Sequence, residues 1–321
     1  MPGKLPYKRA PMWAAYLTTV LFSISAICGN RAAKLLGGTE ANFWRLGVAG
    51  LLLGCWAHLR GAGLSGVALP VFVISGVIGF GFGDLAFFQA LPRLGSRLSV
   101  LLTLCLSSPV AGLVEWAWLG TGLTRAEIVL GLVILAGVAL ALAPGHRAGL
   151  APRQLGWGLV FGCLAAICQA LGAVLSRKAF RLATEAGENV DGITAAYQRV
   201  LAGIAVAGIF VLVVKRGSIL DSFLQARNGD APDMQAGRWR PAWSWVLANG
   251  VAGPALGVSC YQWALKSTPT GVVLPIVAMT PLVIIPFSYY LEGERPTVRS
   301  LAGGALAVAG AAGLAWAAAH H

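Results

Sequence analysis

Long apolar stretches separated by short polar ones dominate the chain, and this pattern constrains the fold more than any other feature. A helix needs about 20 mostly apolar residues to cross a bilayer. Only 11% of the residues are charged, against about 25% in a soluble domain. We therefore predict an all-helical integral membrane protein with ten transmembrane helices, at residues 12–29, 41–59, 68–91, 98–119, 127–143, 155–175, 193–214, 243–265, 270–291 and 300–319.

The charged, cysteine and histidine residues argue against several other classes of protein. The formal net charge is +12, but the basic residues stand singly between apolar runs and form no dense patch with interleaved aromatic residues, as nucleic-acid binding requires. All six cysteines lie in apolar stretches without a C-x-x-C pair, and no two histidines have helical metal-ligand spacing. We expect no nucleic-acid partner, no metal and no cofactor. The expected partners are a small-molecule solute and the lipid bilayer, with the protein a monomer or a homodimer.

An internal repeat relates the two parts of the chain. Residues recur at a distance of 174 in the third span, 172 in the fourth and 154 in the second. The matched pairs are Gly79 and Gly253, Gly83 and Gly257, Pro109 and Pro281, and Arg45 and Arg199.

The repeat predicts two five-helix halves, at 12–143 and 155–319, joined by a linker at 144–154. An N-terminal tail covers 1–11, and the second half carries a polar loop at 215–242 that could include a short interfacial helix. An odd number of spans in each half means that the halves insert upside down relative to each other. Inverted repeats of this kind are a transporter architecture, with the site between the halves.

Short motifs within the repeat carry a family resemblance. They are the stretch at 83–91 (Gly-Asp-Leu-Ala-Phe-Phe-Gln-Ala-Leu), the turn at 94–97 (Leu-Gly-Ser-Arg), Pro281, and the helix end at 291–296 (Leu-Glu-Gly-Glu-Arg-Pro). Together with an arginine early in each second helix, they resemble the EamA type of the drug/metabolite transporter superfamily. The first half departs from the pattern, since its helix end at 119–124 has no acidic residue. That half does without the family's glutamate or uses Glu115 upstream.

The resemblance implies a function and a location. It implies a secondary transporter, and not an enzyme, that exports small metabolites such as amino-acid-like solutes across the cytoplasmic membrane, with both termini in the cytoplasm. The distribution of Lys and Arg leaves the orientation ambiguous. A lipid-linked or nucleotide-sugar carrier of the same superfamily is an alternative, because basic residues are available for the cavity. A membrane-embedded transferase is a weaker one, because no two acidic residues lie three or four apart on an apolar helix to bind magnesium.

Asp84 lies deep inside an apolar stretch. It follows Pro70 by 14 residues and precedes Pro92 by 8, which places it about 12 Å from the nearer helix end at about 1.5 Å per residue. A carboxylate there costs on the order of 3 kcal/mol on insertion scales. We expect Asp84 to face a cavity, paired or protonated, as a proton-coupling or substrate-cation site. The alternative is a structural hydrogen-bond anchor.

Arg45 and Arg199 hold equivalent positions, each a turn or two inside its helix. A long arginine side chain can reach the membrane surface from there, but the recurrence favours a second interpretation. We hypothesise that Arg45 pairs with Asp84 at one mouth of the cavity, and Arg199 with Glu115 at the other. Glu115 lies beside two tryptophans, which are typical of an interfacial belt. The alternative is that its side chain extends to the membrane surface and has no part in the site.

The remaining candidates are polar, glycine and proline residues inside the spans. The polar residues either line the site or hydrogen-bond a neighbouring helix, and they are Gln89, Gln169, Tyr261 and Gln262. The small-x-x-x-small pairs predict close helix packing at Gly79, Gly83, Gly253 and Gly257. The prolines predict bends that either move during transport or are static kinks, at Pro109 and Pro281.

Overall fold

The structure is a computed structural model, and it describes residues 12–119, 124–142, 152–228, 233–267, 270–293 and 295–319. Within these ranges the chain forms ten helical segments and no strand, so the predicted all-helical fold class is confirmed. The helices are α1 Met12–Leu36, α2 Gly38–Leu59, α3 Leu69–Leu94, α4 96–119, α5 Arg125–Leu142, α6 Pro152–Glu185, α7 Gly192–Asn228, α8 233–267, α9 270–292 and α10 Val298–Ala319.

The surface of the bundle has the apolar character that a bilayer requires. By length and composition, five of the described helical stretches could cross a membrane; they are Trp13–Leu36, Leu69–Leu94, Ser96–Val114, Pro152–Glu185 and Gly192–Val214. Large apolar side chains face outward along these and other helices, among them Leu51 at 75% and Leu212 at 62% exposure. A soluble protein rarely exposes so much contiguous apolar surface, and lipid is the solvent that suits it.

The spans predicted at 155–175 and 193–214 leave residues 176–192 between them as a connector, and the structure makes this connector much shorter. Helix α6 continues through most of it and ends at Glu185, and α7 begins at Gly192. Arginine, lysine and glutamate are good helix formers. A run of charged residues therefore marks where an apolar span ends, and the helix itself continues past it.

The predicted polar loop at 215–242 is wrong for the same reason. Helix α7 runs on to Asn228, and α8 begins at Asp233. The short helix expected in this loop is a continuation of α7. The side chains of 215–238 lie outside those that the structure describes.

Corresponding helices of the two halves make corresponding contacts. Helix α1 packs against α8 and α9, and α6, which opens the second half, packs against α3 and α4. The two second helices, α2 and α7, contact each other, as do the two fifth helices, α5 and α10. The first helix of each half thus lies against the third and fourth helices of the other, which places the interface between the halves at the centre of the bundle.

Both third helices widen at the same place. Residues Val77–Gly83 of α3 and Val251–Gly257 of α8 form π-helical stretches, and the 174-residue shift maps one onto the other. Such stretches are rare and are frequent at functional sites. Their recurrence marks the middle of α3 and α8 as equivalent elements.

Glycines let these third helices approach the opposite half. A Cβ on Gly83 would lie 2.8 Å from the Cβ of Cys168 in α6, and one on Gly257 would lie 2.9 Å from the ring of Phe22 in α1. A side chain at Gly83 would force α3 and α6 apart, and one at Gly257 would require the Phe22 ring to shift, so the close contact between the halves depends on these glycines.

Candidate functional site

A cavity of about 90 Å³ lies between the two halves, where α3 and α8 carry their π-helical stretches. In this measure one water molecule needs about 10–15 Å³, so the cavity has room for several waters or for a small solute. Its polar lining consists of Ser25, Arg45, Asp84, Thr103, Gln169, Arg199 and Tyr261, and its large apolar side chains are Phe22, Phe80, Phe87, Val100, Leu104 and Val258.

A buried ion pair forms one wall of the cavity. The Arg45 Nη2 atom of α2 donates to the Asp84 Oδ2 atom of α3, with side-chain exposures of 7% and 22%. The Arg45 Nε atom donates to Asn42 Oδ1 at 3.0 Å, and its guanidinium covers the ring of Phe88 at 4.6 Å from the centroid. The pairing proposed from the sequence is therefore present, and these contacts fix the guanidinium from several sides.

Arg199 reaches the same cavity from α7, in the opposite half. Its guanidinium covers the ring of Phe80, 5.1 Å from the centroid. Its Nε atom has no hydrogen-bond partner, and no described carboxylate lies within ion-pair distance of it. The sequence placed Arg45 and Arg199 at opposite mouths, but both guanidinium groups line one central cavity because their long side chains extend inward. The side chain of Glu115, the proposed partner of Arg199, lies outside the described ones.

Each arginine lies beside a glycine of the opposite half, and these two glycines hold equivalent positions in the repeat. A Cβ on Gly79 would lie 2.9 Å from Arg199 Nη2, and one on Gly253 would lie 3.3 Å from Arg45 Nη1. Gly79 therefore makes room for the guanidinium of Arg199. Gly253 makes room for Arg45 and, more tightly, for Ser25 of α1, whose Cβ would lie 3.1 Å from an added Cβ, so it also has the packing role that the sequence suggested. Each arginine crosses to the third helix of the other half.

The halves differ at the position of Asp84. The shift of 174 residues that aligns the glycines of α3 and α8 places Val258 at the position equivalent to Asp84. Val258 is buried and lines the cavity. The cavity therefore has two symmetric arginines and a single aspartate.

The other polar residues predicted from the sequence divide into two groups. Gln169 and Tyr261 line the cavity. Gln89 lies near the end of α3, where its amide donates to Thr39 Oγ1 at 3.3 Å and its carbonyl accepts from Arg93 at 3.0 Å. Gln262 is fully buried outside the cavity lining, and both its amide atoms lack a partner. The structure therefore does not bring Gln89 or Gln262 to this site.

Sequence reasoning missed two polar residues of the cavity, Ser25 and Thr103. The Ser25 Oγ atom donates to Asn249 Oδ1 at 2.6 Å, which ties α1 to α8. The Thr103 Oγ1 atom is buried without a partner. Serine and threonine are common in membrane helices because their hydroxyls can bond the preceding turn, so nothing in the sequence singled these two out.

Both predicted bends lie next to irregular backbone. The π-helical stretch Leu101–Cys105 ends four residues before Pro109, and the turn at 278–279 that divides α9 ends two residues before Pro281. Proline has no N–H for the carbonyl four residues earlier. In α9 that carbonyl, on Val277, accepts from Thr280 Oγ1 at 2.5 Å instead.

A second polar cluster joins three helices away from the cavity. The carboxylate of Glu292, at the end of α9, accepts from Asn30 of α1 and from Ser96 at the start of α4. Arg31 donates to the Leu291 carbonyl beside it. The residues of the first half that would correspond to this helix end lie at 120–123, outside the described part of the chain.

Two inverted halves around a central, charged cavity define the class of integral membrane transporters built from inverted repeats. The model of the EamA-like transporter family matches residues 9–143 and 156–316, one match in each half. The chain belongs to this family, and it is a transporter of the drug/metabolite transporter superfamily.

The comparison with solved structures agrees with the fold. One of them, described as "Crystal structure of protein", superposes with a TM-score of 0.61 at 20% sequence identity, covering 94% of this chain and 96% of that one. At this identity the likeness supports the fold alone. The search of curated proteins found no match.

Proposed function

We propose that the protein is a secondary active transporter that exports small metabolites, amino-acid-like solutes among them, across the cytoplasmic membrane. Both termini lie in the cytoplasm, and transport is coupled to protons or to an exchanged solute. The observation that carries this proposal is the central cavity, which both halves line and which contains the buried pair of Arg45 and Asp84. Transporters with inverted repeats bind solute at such an interface and expose it to each side in turn.

Asp84 is the proposed coupling residue. A buried charge that loses its partner is strongly destabilising, so the Asp84 carboxylate stays ionised while Arg45 is its partner. Opening of the cavity to one side of the membrane would change the separation of α2 and α3, and a carboxylate separated from its arginine would take up a proton. The same residue would then release the proton when the pair forms again on the other side of the cycle.

The size of the cavity favours small metabolites over the larger alternatives. The roughly 90 Å³ found between the halves has room for several waters or for a small solute. Among the described residues, no group of three or more His, Cys, Asp or Glu is placed to hold a metal ion, so no observation favours a metal-dependent transferase.

The direct test is solute flux in proteoliposomes, with a panel of small metabolites and with or without a pH gradient. We expect gradient-dependent flux of at least one solute, and a loss of tenfold or more in Asp84→Asn. The matched control is Glu188→Gln, because Glu188 accepts a hydrogen bond from the Val67 amide at 3.0 Å and lies outside the cavity lining. Flux that is independent of the gradient and unchanged in Asp84→Asn would overturn the proposed coupling.

A further inference from the structure

The guanidinium of Arg199 is a buried cation without an ion pair of its own among the described residues, because Asp84, the carboxylate that acts on it electrostatically, is paired with Arg45. Arg199 is 4% exposed, its Nε atom has no partner, and in its own half the position equivalent to Asp84 is occupied by Val258. A buried charge that shares one counter-ion with a second cation is less well compensated than a charge in an ion pair of its own. In a cavity built to hold a solute, such a charge is the recognition group for an anion.

Two further polar atoms in the cavity also lack partners. They are the hydroxyl of Tyr261 and the Oγ1 atom of Thr103, on residues that are 2% and 6% exposed. Tyr261 lies close enough to Arg199 for an electrostatic interaction. Leaving a buried donor or acceptor unsatisfied costs about 1–3 kcal/mol, so three such groups around one cavity indicate a polar group of a ligand that satisfies them.

The charges of the lining residues define the charge of that ligand. The charged residues of the cavity are Arg45, Asp84 and Arg199, and their sum is +1 when all three are ionised. A bound monoanion would bring this sum to zero. A zwitterion would leave it at +1, a cation would raise it, and a dianion would make it negative. The rest of the lining is largely apolar, with Phe22, Phe87 and Leu104 among the large side chains.

We infer that the transported solute is a small monocarboxylate with an apolar body and no other charge, and that Arg199 binds its carboxylate. Arginine matches a carboxylate with two parallel N–H donors, and the free hydroxyls of Tyr261 and Thr103 supply further hydrogen bonds. The inference rests on the proposed function and narrows it, from amino-acid-like solutes to acids of similar size that lack the amino group.

The test is binding to the purified protein in detergent, measured by titration calorimetry and by the midpoint of thermal unfolding. Four probes of similar shape separate the charge states: 4-methylpentanoate (anion), 4-methylpentanamide (neutral), leucine (zwitterion) and 4-methylpentylamine (cation). We expect 4-methylpentanoate to bind at least tenfold more tightly than the other three. Equal affinities, or a preference for leucine or the amine, would overturn the inference.

Variants of Arg199 test whether this residue binds the carboxylate. In Arg199→Gln the affinity for 4-methylpentanoate should fall tenfold or more, while the amide binds as it does to the wild type. Arg199→Lys keeps the charge and should recover part of the affinity. The matched control is Arg177→Gln, since Arg177 donates to the Leu265 carbonyl at 2.9 Å outside the cavity lining. An unchanged anion preference in Arg199→Gln would contradict the assignment, and if the variants do not fold, the ranking of the four probes on the wild type decides.

Failure of the inference and failure of the proposed function give different results. Flux of leucine or of an amine, without preference for the carboxylate, would refute the inference but not the proposed transport function. Tight, Arg199-dependent binding of 4-methylpentanoate without any flux in proteoliposomes would refute the proposed transport and leave the binding site in place.

Discussion

At the scale of single residues, the few charges inside the helices carry the site. Arg45 and Asp84 neutralise each other across α2 and α3, and Arg199 projects into the same cavity from the other half. The sequence predicted all three, because an arginine that recurs at equivalent positions and a lone aspartate inside an apolar run are rare. It could not predict that the arginines share one cavity, because side-chain direction depends on how the halves pack.

The buried pair predicts a partial rescue by charge exchange. Asp84→Asn leaves Arg45 buried without its counter-ion, and breaking such a pair destabilises a protein by about 3–5 kcal/mol. The midpoint of thermal unfolding in detergent and the flux in proteoliposomes should both fall. The double change Arg45→Asp/Asp84→Arg restores opposite charges on the same two helices, so it should recover part of both quantities.

Comparison of the double variant with its single variants is the control. Interacting residues give a double effect smaller than the sum of the two single effects. A double variant as impaired as that sum predicts would show that the pair does not act as a unit.

At the scale of helices, close crossings depend on single glycines. Helices α5 and α10 lie in contact, and a Cβ on Gly303 would lie 2.4 Å from the backbone nitrogen of Ala141. Backbone cannot move aside as the end of a side chain can. Its neighbour Gly304 has more space, because a Cβ there would meet only a Leu101 methyl at 3.9 Å.

This difference predicts opposite effects for adjacent substitutions. Gly303→Ala should lower the unfolding midpoint, since overpacking a close contact costs about 1–3 kcal/mol. Gly304→Ala should leave the midpoint unchanged or raise it slightly, because alanine favours a helix over glycine by about 1 kcal/mol. Thermal unfolding of both variants in the same detergent is the measurement. Equal midpoints would mean that α5 and α10 do not cross where the structure places them.

The helices also show which parts of the fold could be predicted from the sequence. All ten helices lie where apolar stretches predicted them, and the repeat correctly related α3 to α8. The ends of α6 and α7 could not be predicted, because charged residues continue a helix as readily as they end it. The π-helical stretches Val77–Gly83 and Val251–Gly257 were also unforeseen, since glycine-rich apolar runs are typical of ordinary membrane helices as well.

At the scale of the whole molecule, the two halves form one interface with the cavity inside it. Corresponding helices make corresponding contacts, while the charges of the cavity break the symmetry because Asp84 of α3 is matched by Val258 in α8. The sequence predicted the repeat but not its orientation in the membrane, because Lys and Arg occur on both sides. The position of the termini therefore stays a prediction.

Labelling with a membrane-impermeant thiol reagent tests the orientation. In a background without the native cysteines, Asn228→Cys at the end of α7 should react from outside the cell, and Gly3→Cys should react only after the membrane is opened. With an even number of spans, both termini lie on one side. Reaction of Gly3→Cys from outside would place them both outside instead.

The central claim is that one cavity between the halves opens to each side of the membrane in turn. The direct measurement places a cysteine in its wall, by Ala165→Cys in the same cysteine-free background, and follows its reaction with a small impermeant thiol reagent from each side of vesicles. Leu51→Cys, on a side chain that is 75% exposed in the lipid-facing middle of α2, is the control and should react from neither side. The account predicts that Ala165→Cys reacts from both sides of the membrane. Added solute should raise the reaction rate from one side and lower it from the other. Reaction from one side alone whatever the solute, or from neither side, would contradict it.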